Sequence, residues 1–114
     1  MASPPWAAFS GDARRAGAYD GPMYFALLYD AVDDYVRRRQ PFRPEHLALA
    51  ERFHREGKLL LAGAFDPADG ALLVFRAESA AEVEAFVRED PYVREGLVTS
   101  WRVKAWTVVV GADA

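Results

Sequence analysis

Strand-like and helix-like segments follow one another along this chain in the order β-α-β-β-α-β, and this order constrains its fold more than any other feature. Residues Tyr24–Tyr29 are apolar on both faces, which is typical of a buried central strand. The first helix is predicted to begin at Pro44, whose fixed φ suits a first helical position, and to end at Gly57, a common helix terminator. Between them, acidic residues and then basic residues over 30–43 predict a linker.

The second half of the order contains a hairpin, a helix and a last strand. Strands over Lys58–Phe65 and Ala71–Arg76 are separated by Asp-Pro-Ala-Asp-Gly, a turn sequence, and are predicted to pair as a hairpin. Ser79 and Glu82 have the spacing of a capping box, so the second helix is predicted to start there and to end before the next proline. The last strand is predicted from about Leu97 to Val110.

This order is the ferredoxin-like, split βαβ arrangement, an α+β fold with a four-stranded antiparallel sheet and two helices on one face. The helices leave the opposite face of the sheet uncovered, and its residues are predicted to form an apolar patch larger than monomers usually expose. We therefore expect a homodimer that packs sheet against sheet through this open face. The residues predicted to lie on it are Tyr24, Ala26, Leu28, Val108 and Val110.

The length of 114 residues corresponds to one domain. Residues 1–22 are rich in Ala, Pro, Gly and Ser and lack periodicity, so they are predicted to be a flexible N-terminal extension. They also lack the apolar segment of a secretory signal. The folded domain is predicted at 23–110, followed by a C-terminal tail at 111–114. We assign no chemistry to the extension.

Composition narrows the classes of partner. The formal net charge of −3 offers no electrostatic footprint for nucleic acid or an anionic membrane. The longest apolar run, Met23–Tyr29, is far shorter than the roughly 20 residues that cross a membrane. A sequence with no cysteine excludes disulfides and thiolate metal sites and fits a reducing cytoplasm. A small-molecule ligand is the expected partner.

Common cofactor and metal patterns are missing from the sequence. It contains no Gly-rich phosphate loop, no nucleophile elbow and no dinucleotide fingerprint. The two histidines, His46 and His54, are eight residues apart without the carboxylate pattern of a metal site. We therefore expect neither a metal ion nor a cofactor.

The candidate catalytic residue is His46, at the head of the apolar row of the first helix. At about 100° per residue, His46, Leu49 and Phe53 fall on one side of a helix. An imidazole titrates near neutrality and loses hydration when buried, so an inward ring needs a hydrogen-bonding partner or a chemical role. Near a helix N-terminus the dipole favours the neutral ring, which can act as a base. The alternative is a core histidine bonded to a backbone carbonyl.

Two acids are candidates to orient this ring. Asp90 lies seven residues after Val83, on the inward row of the second helix, and its alternative is a solvent-exposed helix end. Taking strands one and three as parallel makes the two helices parallel as well, which would separate His46 from Asp90 by a helix length, about 18 Å. Asp33, in the loop after strand one, is predicted at the same end of the sheet as His46 and is retained as the rival.

Three further residues are candidates for holding a substrate. Arg43 precedes the first helix, where its guanidinium offers a bidentate fork for an anionic group. Tyr29 ends strand one and Tyr92 follows the second helix, and both rings could line a pocket for a planar ligand. The alternatives are a surface arginine and tyrosines that serve only in packing.

Several motifs taken together resemble the YCII (YciI-like) family, and the resemblance covers about 23–110 of the chain. They are Arg-Pro-Glu-His-Leu at 43–47, Gly-Lys-Leu-Leu-Leu-Ala-Gly at 57–63 and Asp-Pro-Tyr-Val at 90–93. The resemblance implies a dimeric α/β barrel and a site centred on a histidine and an aspartate, carried here onto His46 with Asp90 or Asp33. One branch of the family resembles an enzyme that removes chloride from a hydroxylated chloro-aromatic ring.

We therefore expect a cofactor-independent enzyme, a dehydrochlorinase-like lyase or an isomerase, acting on a small aromatic or carbonyl compound. The alternative is a non-catalytic, ligand-binding or stress-related dimer whose polar residues are structural. The sequence departs from the family pattern at Ala64, where a proline is common, and at Ala71, where a Ser or Thr is common. The second change removes a hydroxyl that could contact a substrate.

Overall fold

The computed structural model describes residues 23–111, which form one layer of sheet and one layer of helices. The predicted extension at 1–22 and the tail beyond residue 111 lie outside the described residues. A 3₁₀ turn covers Gln40–Phe42. The other elements in chain order are β1 Met23–Ala31, α1 Tyr35–Arg38, α2 Arg43–Arg55, β2 Leu59–Ala64, β3 Gly70–Ala77, α3 Ala80–Glu89, α4 Pro91–Arg94 and β4 Val98–Trp106.

The predicted α+β fold is confirmed. The four strands form one antiparallel sheet in the order β2-β3-β1-β4. The two long helices predicted from the sequence, α2 and α3, carry the apolar rows that pack into the core. No helix in the described part of the chain is both long enough and apolar enough to span a membrane.

The predicted strand directions are wrong in one respect that matters for the site. β1 runs antiparallel to β3, not parallel to it. Because each long helix returns along the strand before it, opposite strand directions make α2 and α3 run in opposite directions. The start of α2 therefore lies beside the end of α3, and the expected separation of a helix length between His46 and Asp90 does not exist.

Three local predictions also differ from the structure. The segment read as a linker contains α1 and the 3₁₀ turn. The capping box is not formed, because Ser79 makes no side-chain cap and a Glu82 oxygen accepts from the backbone N–H of Glu78, at 3.2 Å, instead of that of Ser79. β4 ends at Trp106 and not at Val110, because Trp106 pairs with Tyr24 and only Met23 of β1 lies beyond that pair.

The core lies between the sheet and the two long helices. Phe86 of α3 is fully buried, and its ring packs edge-to-face with Phe53 of α2 at 5.2 Å and with Phe75 of β3 at 5.3 Å between centroids. Edge-to-face aromatic pairs add to the stabilisation that burial alone provides. Leu27 of β1 and Val83 of α3 are also fully buried in this cluster. The aromatic core thus holds both helices against the two central strands.

The opposite face of the sheet has no helix over it among the described elements. Tyr24, Ala26 and Leu28 alternate on this face and are half-buried, while Leu61 of the edge strand β2 is 71% exposed. Trp106 pairs with Tyr24, so it lies on the same face, and it is 48% exposed. The predicted members Val108 and Val110 follow the end of β4 and are not strand residues.

Candidate active site

A fully buried carboxylate, that of Asp90, is the centre of the candidate site. It accepts hydrogen bonds from Tyr29 Oη at 2.7 Å, His46 Nδ1 at 2.8 Å and the backbone N–H of Tyr92 at 3.0 Å. Asp90 lies at the junction of α3 and α4, where it caps the first turn of α4. Three donors satisfy this carboxylate, which is what a buried charge requires to remain stable.

His46 is held on two sides. It lies in the first turn of α2, and its side chain is 14% exposed. Its ring stacks on the Tyr92 ring with centroids 3.8 Å apart and an interplanar angle of 9°, and the edge of Phe86 lies against it at 6.4 Å. Stacking and the Asp90 hydrogen bond together leave the imidazole little rotational freedom.

The hydrogen bond to Asp90 assigns the proton of the neutral imidazole. A carboxylate only accepts hydrogen bonds, so with Asp90 in its carboxylate form the Nδ1 of His46 carries the hydrogen. The lone pair of the neutral ring is then on Nε2, which no other described residue engages. A histidine oriented in this way through Nδ1 can accept a proton at Nε2, with the carboxylate stabilising the imidazolium that forms.

The His46 ring borders a cavity of about 340 Å³. The cavity lies between the helices α1 and α2 and the strands β2 and β3. This volume is at the small end of the range for ligand pockets. Ala64 and Ala71, the two positions that depart from the family pattern, contribute to its apolar wall. The polar side chains on its wall are those of Tyr29, Tyr35, Arg39, Arg43, His46, Glu51 and Tyr92.

The structure brings together all but one of the residues selected from the sequence. Tyr29, Arg43 and Tyr92 border the cavity, and Asp90 is the acid that bonds His46. Asp33 lies exposed in the turn before α1, so the rival pairing with His46 is not formed. His54 bonds the backbone oxygen of Leu59 at 2.7 Å, as expected for a residue outside the site.

Two residues of the site were missed in the sequence, Tyr35 and Arg39. Both lie in the segment interpreted as a linker, and the Arg39 guanidinium is 5.1 Å from the centroid of the Tyr35 ring. The signal that could have found them is their spacing of four residues, which places them on one side of a helical turn. Arg39 Nε is buried and has no hydrogen-bond partner among the residues described.

Burial raises the pKa of the three tyrosine hydroxyls around the cavity. The increase is largest for Tyr29, where burial acts first and the negative charge of Asp90 and the hydrogen bond to it add to the effect. The pKa of Tyr35 is also raised, mainly by burial. The pKa of Tyr92 is raised by burial as well, although the positive charges of Arg39 and Arg43 partly offset the increase.

These shifts predict that the free energy of unfolding decreases in alkaline solution. A tyrosine whose pKa is raised by folding stabilises the folded state fully below the unfolded pKa of about 10, and this stabilisation is lost as the pH rises above it. We expect the urea midpoint to fall steadily between about pH 9.5 and 11. Tyr29→Phe lacks the hydroxyl with the largest pKa shift, so its urea midpoint should fall less over that pH interval. An equal fall would show that the Tyr29 hydroxyl does not cause the loss of stability.

The chain is a small two-layer α+β protein. Its buried His46–Asp90 pair at the cavity wall is a candidate acid–base site. The YCII-related domain model matches residues 23–107. The chain therefore belongs to the YCII-related domain family.

Relatives of known sequence and structure agree with this membership. Protein YciI of Escherichia coli O6:H1 and Protein YciI of Shigella flexneri are each 31% identical to the chain over 97 residues, covering 76% of the chain and 99% of the relative. A structure of 5-chloro-2-hydroxyhydroquinone dehydrochlorinase from Burkholderia phenoliruptrix AC1100, in complex with 2,5-dihydroxybenzoquinone, is 26% identical, with a TM-score of 0.64. That alignment covers 75% of this chain and 94% of the dehydrochlorinase.

Proposed function

We propose that this protein is a cofactor-independent lyase that eliminates HCl from a small hydroxylated aromatic ring, with His46 as its acid–base group. The observation that carries the proposal is the 2.8 Å hydrogen bond from His46 Nδ1 to the buried Asp90 carboxylate, at the wall of the cavity. The similarity to a dehydrochlorinase of a chlorinated hydroxyhydroquinone supports the choice of reaction. The small, partly aromatic cavity supports a ligand of one ring.

In the proposed reaction His46 Nε2 takes a proton from a ring hydroxyl and delivers it to the carbon that bears chlorine. Loss of a second hydroxyl proton then expels chloride, which leaves with the electron pair of the C–Cl bond. Two O–H bonds and one C–Cl bond break, one C–H bond forms, and the ring becomes a quinone while HCl is released. The step balances without an external oxidant or reductant.

Each residue of the network has a distinct part in this scheme. Asp90 holds the Nδ1–H tautomer of His46 and stabilises the imidazolium, while Tyr29 holds Asp90 through its 2.7 Å hydrogen bond. The ring of Tyr92 supports the imidazole from below. Arg43 attracts an anionic oxygen of the substrate, since its guanidinium is an always-charged donor at the cavity wall.

The same proposal includes a homodimer through the open face of the sheet and a cytoplasmic location. The exposed Leu61 and Trp106 on that face support the dimer, since apolar side chains grouped on one surface favour association. The cysteine-free sequence supports the cytoplasm. Measurement of the molar mass in solution by light scattering tests the first point, and a monomer would contradict it.

The test is an assay of chloride release from chlorinated hydroxyhydroquinones and chlorophenols by the purified protein. We expect His46→Gln to lower kcat by about 10² to 10⁴, the usual contribution of a positioned acid–base group. His54→Gln is the matched control, because it changes the same residue type on the same helix outside the cavity, and it should retain activity. Ligand binding without chloride release by the unmodified protein would favour the non-catalytic binder. Equal activity in His46→Gln would end the acid–base proposal.

A further inference from the structure

Two arginine side chains reach the cavity without a carboxylate partner. Arg39 follows α1 and Arg43 begins α2, and both belong to the cavity wall. Neither forms a salt bridge within the described range, in contrast to Arg37 of α1, which pairs with Asp34. Glu51, a carboxylate also on the wall, lies 3.7 Å from Arg55. Two arginines against one carboxylate leave the cavity wall with an excess of positive charge.

The position of Arg39 is fixed before any ligand binds. Its guanidinium lies over the Tyr35 ring, a cation–π arrangement that orients the planar group. Its Nε is buried and lacks an acceptor among the described groups. A buried donor without an acceptor is unfavourable, so a ligand oxygen that supplies the acceptor gains from pairing with it.

Arg39 lies on the same wall as the stacked rings of the site. Both arginines border the cavity together with His46 and Tyr92, the ring on which His46 stacks. A flat ligand within reach of His46 Nε2 would thus have a guanidinium available at its edge. Guanidinium groups pair well with delocalised, planar oxyanions because their donors form a rigid fork.

We propose that Arg39, together with Arg43, forms an oxyanion subsite that selects ligands whose ring carries a deprotonated hydroxyl, as in hydroxyquinones. This inference rests on the proposed function, since it concerns the same cavity, and it names the charge state of the ligand. Arg39 is a specificity residue in this scheme, while the proton transfer belongs to His46. Aromatic carboxylates have a similar planar oxyanion, so they are the second ligand type to be compared.

The test is a binding titration of the full chain with 2,5-dihydroxybenzoquinone, neutral hydroquinone and benzoate as probes. We expect Arg39→Gln to raise the Kd of dihydroxybenzoquinone about tenfold or more, the effect of losing a charge-assisted hydrogen bond. The Kd of hydroquinone should change less than about twofold, because that probe has no charge for the guanidinium to pair. Arg39→Lys should give an intermediate Kd, because it keeps the charge and loses the fork.

Arg38→Gln is the matched control, since Arg38 is the exposed neighbour of Arg39, carries the same charge and does not border the cavity. It should bind all three probes as the unmodified protein does. Equal weakening of charged and neutral probes by Arg39→Gln, or no weakening, would overturn the subsite. Arg39-dependent binding of benzoate without binding of dihydroxybenzoquinone would overturn the assignment to a ring oxygen.

The subsite and the proposed lyase activity can fail separately. If the probes bind in an Arg39-dependent way and the protein releases no chloride from any chlorinated substrate, the activity fails while the subsite stands. If chloride is released and Arg39→Gln alters neither KM nor probe binding, the subsite fails while the activity stands. Thermal unfolding of each variant, compared with Arg39→Lys, separates loss of folding from loss of the subsite.

Discussion

Replacing Asp90 by alanine is expected to lower the free energy of unfolding by about 3–5 kcal/mol, because it leaves buried donors without an acceptor. The groups that lose their acceptor are Tyr29 Oη, His46 Nδ1 and the backbone N–H of Tyr92. The same substitution removes the group that orients the imidazole, so any acid–base activity should fall with it. Urea unfolding followed by tryptophan fluorescence measures the first effect, and initial rates measure the second.

Asp33→Ala is the natural control for this prediction. It removes the same type of side chain from an exposed turn at the same end of the sheet. Its effect on the free energy of unfolding should stay within about 0.5 kcal/mol, as for most surface substitutions. If both variants lost the same free energy of unfolding, or if Asp90→Ala lost none, the hydrogen bonds to Asp90 would not contribute to the stability of the fold.

Replacing Phe86 by alanine should cost about 3–5 kcal/mol of unfolding free energy, the usual range for removing a fully buried aromatic ring. The ring contacts Phe53 and Phe75 in the core and the edge of His46 in the site, so the cavity left behind touches both regions. Urea unfolding measures this loss. We also expect the variant to hold His46 less firmly, so that kcat falls more than an equally destabilising change far from the site would produce.

Two comparisons make the Phe86 prediction specific. Val36→Ala removes an exposed apolar side chain from α1 and should change the free energy of unfolding by less than about 0.5 kcal/mol. Phe86→Leu keeps most of the buried volume and should lose clearly less stability than Phe86→Ala. A loss of similar size in Phe86→Leu and Phe86→Ala would indicate that ring packing, and not filled volume, determines the stability at this position.

Asp90, His46 and Phe86 form one continuous packed unit. Asp90 follows directly after the helix that contributes Phe86, and His46 touches both of them. The candidate catalytic pair is therefore supported by core packing on one side and opens to the cavity on the other. A site built in this way is held rigid by the hydrogen bonds to Asp90 and by the stacking of His46 on Tyr92.

The sequence by itself determined which side chains would point inward. Helical periodicity placed His46 on the row of Leu49 and Phe53, and the row of the second helix ended at Asp90; the structure buries both rows. The number and order of the long elements followed from the same patterns. These features are local, because a periodicity of 3.6 or 2 residues is set by the chain's own geometry.

The tertiary structure alone decided which inward residues meet. The antiparallel direction of β1 and β3, which places the start of α2 beside the end of α3, follows from the connectivity, because a helical crossover makes β2 parallel to β1 and the hairpin then reverses β3. Arg39 belongs to the cavity wall because the segment after β1 folds back over the cavity. Asp33 and Asp90 both lie at the end of the sheet where α2 begins, and only the packing of whole elements decides that Asp90, 44 positions from His46, is the acid that bonds it.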